Sequence, residues 1–440
     1  MLVPINIIGL GASEQACLTP QAQQALQQAT WVMGSARQIA TVQSLLSLDS
    51  QSLELPKFNQ LRAALDQLFS QARKDDQLVV LASGDALFYG IGSWFSRQYP
   101  PEQLTYFAGV SSIQLACHRL GLTEQDVDVL SLHGRPLAKL RSTIRAKQQL
   151  MILTDGQSQP LHLAQQCQAL GFTQAQITVL EDLGYAQERI RQFSLEQLLD
   201  ETVKTEFSSL HISFIATGEQ RLATYLPSFP GIKDEAFITD KGPGKGMLTK
   251  REVRLAILSL LQPSHQDVIW DIGAGCGSVA IELSYWTPKA KVIAIEHHPA
   301  RFDCLQQNRE RFGVVTNLDT VFGRAPQVFT QTELAAPNKV FIGGSDGELA
   351  TLLEQVWANL PEQGQLVVSA VMERTRCQCV EFFQLRDDAQ DCSAETVQIA
   401  VNKGERLVGQ LVYRPNLAVS LFSFIKVANP APALTKDVNL

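Results

Sequence analysis

The chain has 440 residues, 45% of them hydrophobic and 18% charged, with a net charge of −7. That length suggests two or three domains with sizeable cores, and the acidic balance argues against a general nucleic-acid binder. No apolar run approaches the ~18 residues that would cross a bilayer, and the opening Met-Leu-Val-Pro-Ile-Asn-Ile-Ile-Gly lacks the basic start of an export signal, so a cytosolic protein without membrane contact is expected.

The first half opens with a strand at Val3–Leu10 and a loop running from Gly9 and Gly11 to Thr19. Further strands are expected at Leu78–Ala82, Leu150–Thr154, Ile177–Glu181 and Leu210–Ala216, with helices at Gln60–Gln71, Ser111–Arg119 and Leu161–Leu170. This alternation predicts an α/β domain over residues 1–218. Pro227, Pro230, Gly231, Gly242, Pro243, Gly244 and Gly246 then crowd a linker over 219–246. Order resumes at Thr249-Lys-Arg-Glu252, a capping-box pattern that predicts a helix at Lys250–Leu261 with Thr249 as its cap.

The second domain, 247–428, continues with strands at Val268–Ile272, Lys291–Ile295, Leu318–Phe322, Lys339–Ile342 and Gln365–Ala370. Val397–Val401, Gly409–Tyr413 and Ala418–Ile425 then follow as strands without helices between the last ones, so the sheet is expected to close antiparallel. The tail, 429–440, is Pro-rich and then polar, and is expected to fray. The eight cysteines are scattered, and Cys377-x-Cys379 lacks the partner pair of a zinc site. They read as free thiols, His297-His298 as loop residues, and no metal site is expected.

The most informative segment is Asp271-Ile-Gly-Ala-Gly-Cys-Gly277 between two apolar strands, the second of which ends on Glu296. Glycines let the backbone approach a ligand, and an acid at the second strand tip can accept ribose hydroxyls. Gly273, Gly275 and Gly277 give G-x-G-x-G, and Ser278 stands where a dinucleotide fingerprint needs its third glycine. Asp271 would repel a pyrophosphate but pair with the ammonium of a methionine. S-adenosylmethionine (SAM) fits best; an NAD-dependent oxidoreductase is the alternative from another reaction class. The site drawn from this reading holds Thr249, Asp271, Gly273, Ala274, Gly275, Cys276, Gly277 and Glu296, with Gly323, Arg324 and Ala325 after the third strand. Gly343-Gly344 replaces the aromatic clamp expected of a base methyltransferase.

In the first half, Gly9-x-Gly11, Leu18-Thr19, Ser83-Gly-Asp85 and Gly109-Val-Ser111-Ser112 occur in an order that resembles the tetrapyrrole methylase family. Ser13 and Ala86 depart from its pattern. The resemblance implies a two-lobed α/β fold and a second SAM site using Gly9, Gly11, Asp85, Ser111 and Ser112. In the second half, Pro230–Phe237, Thr249-Lys-Arg-Glu-Val-Arg254, Asp271–Gly277 and Phe341–Gly344 resemble the C15-methylating, decarboxylating methyltransferases of the corrin pathway. The run Asp240–Gly246 is longer and more basic than that family's linker.

The order of the two modules is similar to that of the fused C5,15-methylating enzymes of cobalamin biosynthesis. This implies a precorrin substrate, a Rossmann-like seven-stranded second domain, and self-association. The substrate carries many carboxylates, so local cations must gather at its cleft. Lys250, Arg251 and Arg254, beside Lys241 and Lys245, are candidates to hold them, and a solvated helix face explains the same residues equally well. No residue is nominated as catalytic acid. A SAM-binding protein with an inactive first half is a third reading, left open by Ser13 and Ala86.

Overall fold

The computed structural model describes residues 2–202, 205–220 and 226–428, so the tail 429–440 and part of the linker lie outside the described residues. Two compact units separate, Met1–Arg135 with Ile144–Ala223, and Pro136–Thr143 with Thr224–Leu440.

The first unit holds two five-stranded sheets. Strands β1 (Ile5–Gly9), β2 (Trp31–Gly34), β3 (Gln51–Glu54), β4 (Leu78–Ala82) and β5 (Leu104–Phe107) form a parallel sheet of order β3-β2-β4-β1-β5. Its central strands are buried throughout, which is why Leu78–Ala82 reads as an unbroken apolar run and Ile5–Gly9 as one interrupted only by Asn6. The second sheet contains β6 (Asp128–Ser131), β7 (Gln149–Leu153), β8 (Gln176–Glu181), β9 (Arg189–Ser194) and β10 (His211–Ala216), in the order β6-β7-β10-β8-β9. Only β6 and β7 pair in parallel; the other neighbours are antiparallel. This is the expected two-lobed arrangement.

The second unit is built on β11 (Val268–Ile272), β12 (Lys291–Glu296), β13 (Leu318–Phe322), β14 (Lys339–Ile342), β15 (Gln365–Ala370), β16 (Cys392–Ile399), β17 (Asn402–Leu407), β18 (Gln410–Pro415) and β19 (Val419–Lys426). Seven of these make one sheet of order β13-β12-β11-β14-β15-β19-β16, parallel except that β19 runs antiparallel to both its neighbours. The seven-stranded Rossmann-like expectation is met. Its antiparallel end differs from the reading: the edge strand starts at Cys392, and Gly409–Tyr413 belongs instead to a separate hairpin of β17 and β18. Two apolar clusters cover the two faces of the sheet. The chain order reverses between β11 and β14, the position where open α/β sheets leave a crevice at the strands' carboxyl ends.

The predicted helix after the linker spans Arg251–Leu261, with Lys250 at its cap position and no side-chain cap bond. Thr249 is therefore not the cap. Its carbonyl is occupied by the Arg254 guanidinium at 2.5 Å.

Candidate functional site

In the second unit the crevice is a cavity of about 270 Å³ lined by Gly273, Gly275, Glu296, His297, Gly323, Arg324 and Ala325, with Met247, Arg301 and Gly343 to Asp346 completing it. The glycine loop is held open by backbone conformations that side chains disfavour: Gly273, Gly275 and Gly277 have φ of +69°, +58° and +88°. A Cβ on Gly275 would come within 2.6 Å of the Met247 carbonyl. That carbonyl also accepts the Cys276 N–H at 3.1 Å, so the end of the linker forms one wall of the loop.

Glu296 is buried. Its Oε2 accepts the Gly275 N–H at 2.8 Å, and Oε1 accepts the N–H groups of His297 and His298 at 2.9 and 2.8 Å. A carboxylate oxygen carries two lone pairs, so Oε2 keeps the capacity to accept one hydroxyl from a ligand. Arg324 is oriented by Asp346, whose carbonyl and carboxylate lie 3.0 and 3.1 Å from its guanidinium.

Asp271 stands behind the loop. Its Oδ2 accepts the Ala280 N–H at 2.9 Å, one of the donors that the start of the helix Ser278–Trp286 leaves unpaired, while its buried Oδ1 has no partner. Burial pushes its pKa up to about 7 against the Ala280 bond, and the Glu296 charge adds to the rise. Cys276 is buried, and burial pushes its thiol up to about 12, which leaves it protonated and inert. Of the candidates, Thr249, Asp271, Ala274, Cys276 and Gly277 sit around the cavity rather than on its surface.

The first unit carries a larger cleft of about 950 Å³ between its two sheets. Gly11, Asp85, Ser111 and Ser112 line it. Gly9 lies beneath, where a Cβ would meet the Gly109 nitrogen at 2.8 Å, so three loops cross at closest approach. The Gly11 and Gly84 backbones bond to each other in both directions, at 3.2 and 2.9 Å. Asp85 ties these loops together: Oδ1 accepts from Leu87 and Phe88, and Oδ2 from Gly109 at 3.2 Å. Ser111 caps the helix Ser112–Leu120 through a reciprocal bond with Gln114.

Arg254 is corrected as a substrate ligand. It is fully buried, with its guanidinium 2.9 Å from Glu282, 2.8 Å from Asp234, and bonded to the carbonyls of Ile232 and Thr249. Lys250 and Arg251 remain partly exposed, bonded to the Gly244 carbonyl and to Glu252, and neither lines the cavity. The cations that do reach the clefts are Arg301 and Arg324 in the second unit, and Arg37 and Arg135 in the first. Arg324 was already among the site candidates, whereas Arg37 and Arg135 escaped the sequence reading because Arg37 follows the short strand Trp31–Gly34 and Arg135 follows Asp128–Ser131, neither of which has enough alternation to be recognised. His297, read as a loop residue, lies in that loop and lines the cavity. Among the described residues no group of three His, Cys, Asp or Glu is arranged to hold a metal ion, and no helix is long and apolar enough to cross a membrane.

Comparison with known proteins finds a different family in each half of the chain. Residues 4–199 match the Tetrapyrrole (Corrin/Porphyrin) Methylases and residues 240–426 match the Precorrin methyltransferase domain. The precorrin-6Y C(5,15)-methyltransferase (decarboxylating) of Sinorhizobium sp is 31% identical over 422 residues, 96% of each chain. The cobalt-precorrin-6B C(15)-methyltransferase (decarboxylating) of Salmonella typhimurium is 31% identical over 198 residues, 45% of this chain and 97% of that one. A crystal structure of precorrin-6y C5,15-methyltransferase from Geobacter metallireducens is 32% identical and covers 44% of this chain and 98% of its own, with a TM-score of 0.41.

Proposed function

Because this chain belongs to the family of precorrin-6Y C5,15-methyltransferases (decarboxylating), we propose that its two units divide the two methyl transfers between them. It is a bifunctional SAM-dependent methyltransferase of cobalamin biosynthesis, which methylates C5 and C15 of a precorrin and removes the C12 acetate as carbon dioxide. In the division proposed, the first unit methylates C5, and the second methylates C15 and decarboxylates. The observation that carries this is the presence of two differently built glycine-loop clefts, one in each unit.

The second cleft suits SAM on its own chemistry. The unpartnered Oδ1 of Asp271 is a buried acceptor that an ammonium group would satisfy, and Glu296 Oε2 keeps acceptor capacity for a ribose hydroxyl. Gly273 to Gly277 bring backbone close without side chains in the way. Gly11, Asp85, Ser111 and Ser112 do the corresponding work in the first cleft. When bound, SAM supplies an electrophilic methyl group on a sulfonium. The protein aligns a nucleophilic ring carbon and keeps water away. Arg37 and Arg135 in one cleft, and Arg301 and Arg324 in the other, supply local positive charge for substrate carboxylates in a chain of net charge −7.

Self-association belongs to the same proposal. A two-stranded hairpin is marginal alone, yet among the described residues β17 and β18 pair only with each other, and they expose Leu407, Val408, Leu411 and Tyr413. A second copy would cover this surface. Light scattering of wild type against Val408→Asp tests it, with a smaller assembly expected for the variant.

Mass spectrometry of the product tests the division of labour. Glu296→Ala is expected to yield a precorrin that has gained one methyl and kept its acetate. Asp85→Ala is expected to yield one that has gained one methyl and lost carbon dioxide. Loss of both methylations in either variant would refute the division.

A further inference from the structure

We propose that His133 is the base that accepts the proton released when C5 is methylated, an assignment that rests on reading the first cleft as the C5 site. Methylating a trigonal C–H carbon creates the need. C5 gains a bond to the methyl carbon as the methyl–sulfur bond breaks, and the neutral thioether leaves. The ring then carries one more positive charge. When the C5–H bond gives up its proton, the electron pair returns to the ring and restores both neutrality and conjugation. A group with a free lone pair near neutral pH must take that proton.

The cleft offers few such groups. Asp85 spends three of its four acceptor positions on the N–H groups of Leu87, Phe88 and Gly109, which tie it to the crossing loops. Asp155 is equally engaged: Oδ1 accepts from Gln157 and Ser158, and Oδ2 from Gly134 at 2.8 Å. Burial acts to raise its carboxyl, but those bonds outweigh it and hold the group below the usual carboxylate range. Arginines stay charged, and phenols as a class stay protonated at neutral pH. His211 also lines the cleft, but its Nε2 is buried away from the surface, without a hydrogen-bond partner. Its Nδ1 is bonded to the Ser208 carbonyl at 2.7 Å.

His133 differs. It lines the cleft and is exposed to it. Its Nδ1 lies 3.3 Å from the Thr154 carbonyl, which can only accept, so the ring proton sits on Nδ1 and Nε2 carries the lone pair. Among the described histidines lining the cleft, His133 is exposed, whereas His211 is buried. The turn that presents it is fixed at four points. Leu132 N–H bonds to the Leu153 carbonyl at 2.9 Å, and Gly134 N–H to Asp155 at 2.8 Å. Arg135 N–H bonds to the Leu132 carbonyl at 2.9 Å, and its guanidinium to the Ser131 carbonyl at 3.1 Å. A base held in this way keeps its aim. After the transfer, the exposed imidazolium releases the proton to solvent.

The test uses the full chain and a precorrin deuterated at C5. His133→Asn retains a donor for the Thr154 carbonyl and lacks the base. It is expected to slow C5 methylation by about 10²- to 10⁴-fold, to raise the deuterium isotope effect on that step, and to regain part of the rate with added imidazole. SAM binding by calorimetry, C15 methylation and loss of the acetate should stay unchanged. A variant that methylates C5 at the wild-type rate, slows without an isotope effect, or loses SAM binding would overturn the assignment. Glu296→Ala serves as the control: if that variant, with His133 intact, adds no methyl at C5, the reading of the cleft fails rather than the role of His133.

Discussion

Replacing Arg254 with alanine separates a structural ion network from a substrate ligand. Arg254 and Glu282 are fully buried and Asp234 is nearly so. Glu282 also accepts the N–H groups of Gly231 and Ile232, at 2.7 and 3.1 Å, and the Trp286 indole at 3.1 Å. Asp234 accepts the Arg251 N–H at 3.1 Å. The guanidinium therefore fastens the segment from Gly231 to Thr249 onto the helix that follows the glycine loop. Removing it leaves Glu282 without its cation in the core and Asp234 with only Lys250 and Lys403, at 4.0 and 3.7 Å, which costs about 3–5 kcal/mol. For a unit of this size that corresponds to a fall of about 6–20 °C in melting temperature. Scanning calorimetry, with tryptophan fluorescence to identify the transition of the second unit, measures it. The variant should also bind SAM less tightly, because Met247 at the end of that segment forms a wall of the loop. Arg254→Ala with Glu282→Gln should recover part of the loss, since one unpaired charge goes. A variant that melts with wild type and raises only the Michaelis constant for precorrin would refute the reasoning and restore Arg254 as a substrate ligand.

Three further outcomes follow from the same geometry. Asp271 is held at about 7 in the folded chain, above its ordinary value of 3.8. Its stabilising effect is therefore complete below about pH 4 and lost as pH rises through about 7. Asp271→Asn should flatten that decline in urea titrations across the window, and an unchanged decline would remove Asp271 as its source. If Asp271 receives the SAM ammonium, binding near pH 7 should release a proton, which calorimetry in buffers of different ionisation enthalpy detects; buffer-independent heats would argue against the contact. Gly275→Ala forces a side chain into a φ of +58° and against the Met247 carbonyl, so SAM affinity at the second site should fall at least ~10-fold, or about 1.4 kcal/mol. Equilibrium dialysis on an Asp85→Ala background isolates that site, and wild-type affinity would contradict the close packing seen here.

The glycine spacing, the acid at the end of Lys291–Glu296 and the long apolar strands were all legible in the sequence. Each is a local requirement: positive φ in the loop, burial on both faces of the strands, a carboxylate at a strand end. The short strands Trp31–Gly34, Gln51–Glu54, Leu104–Phe107 and Asp128–Ser131 were not legible, because four residues hold too little alternation to mark a strand. Arg254 shows the same limit in a side chain. Its position one turn after Lys250 in a basic run suggests a solvent-facing ligand, and only the approach of Asp234 and Glu282, 20 residues before and 28 after it, turns it into a buried anchor. Thr249 has the sequence of a cap, but Arg254 occupies its carbonyl and the helix begins a residue later than the capping box implies. His133 is a single histidine in a loop until the fold sets it against Thr154 and opens its Nε2 to the cleft. The sequence by itself thus determined the local conformation of the glycine loops and the family to which the two halves belong. The tertiary structure alone decided which charged side chains face the clefts and which are neutralised inside, because burial and partnership are set by segments far apart in the chain.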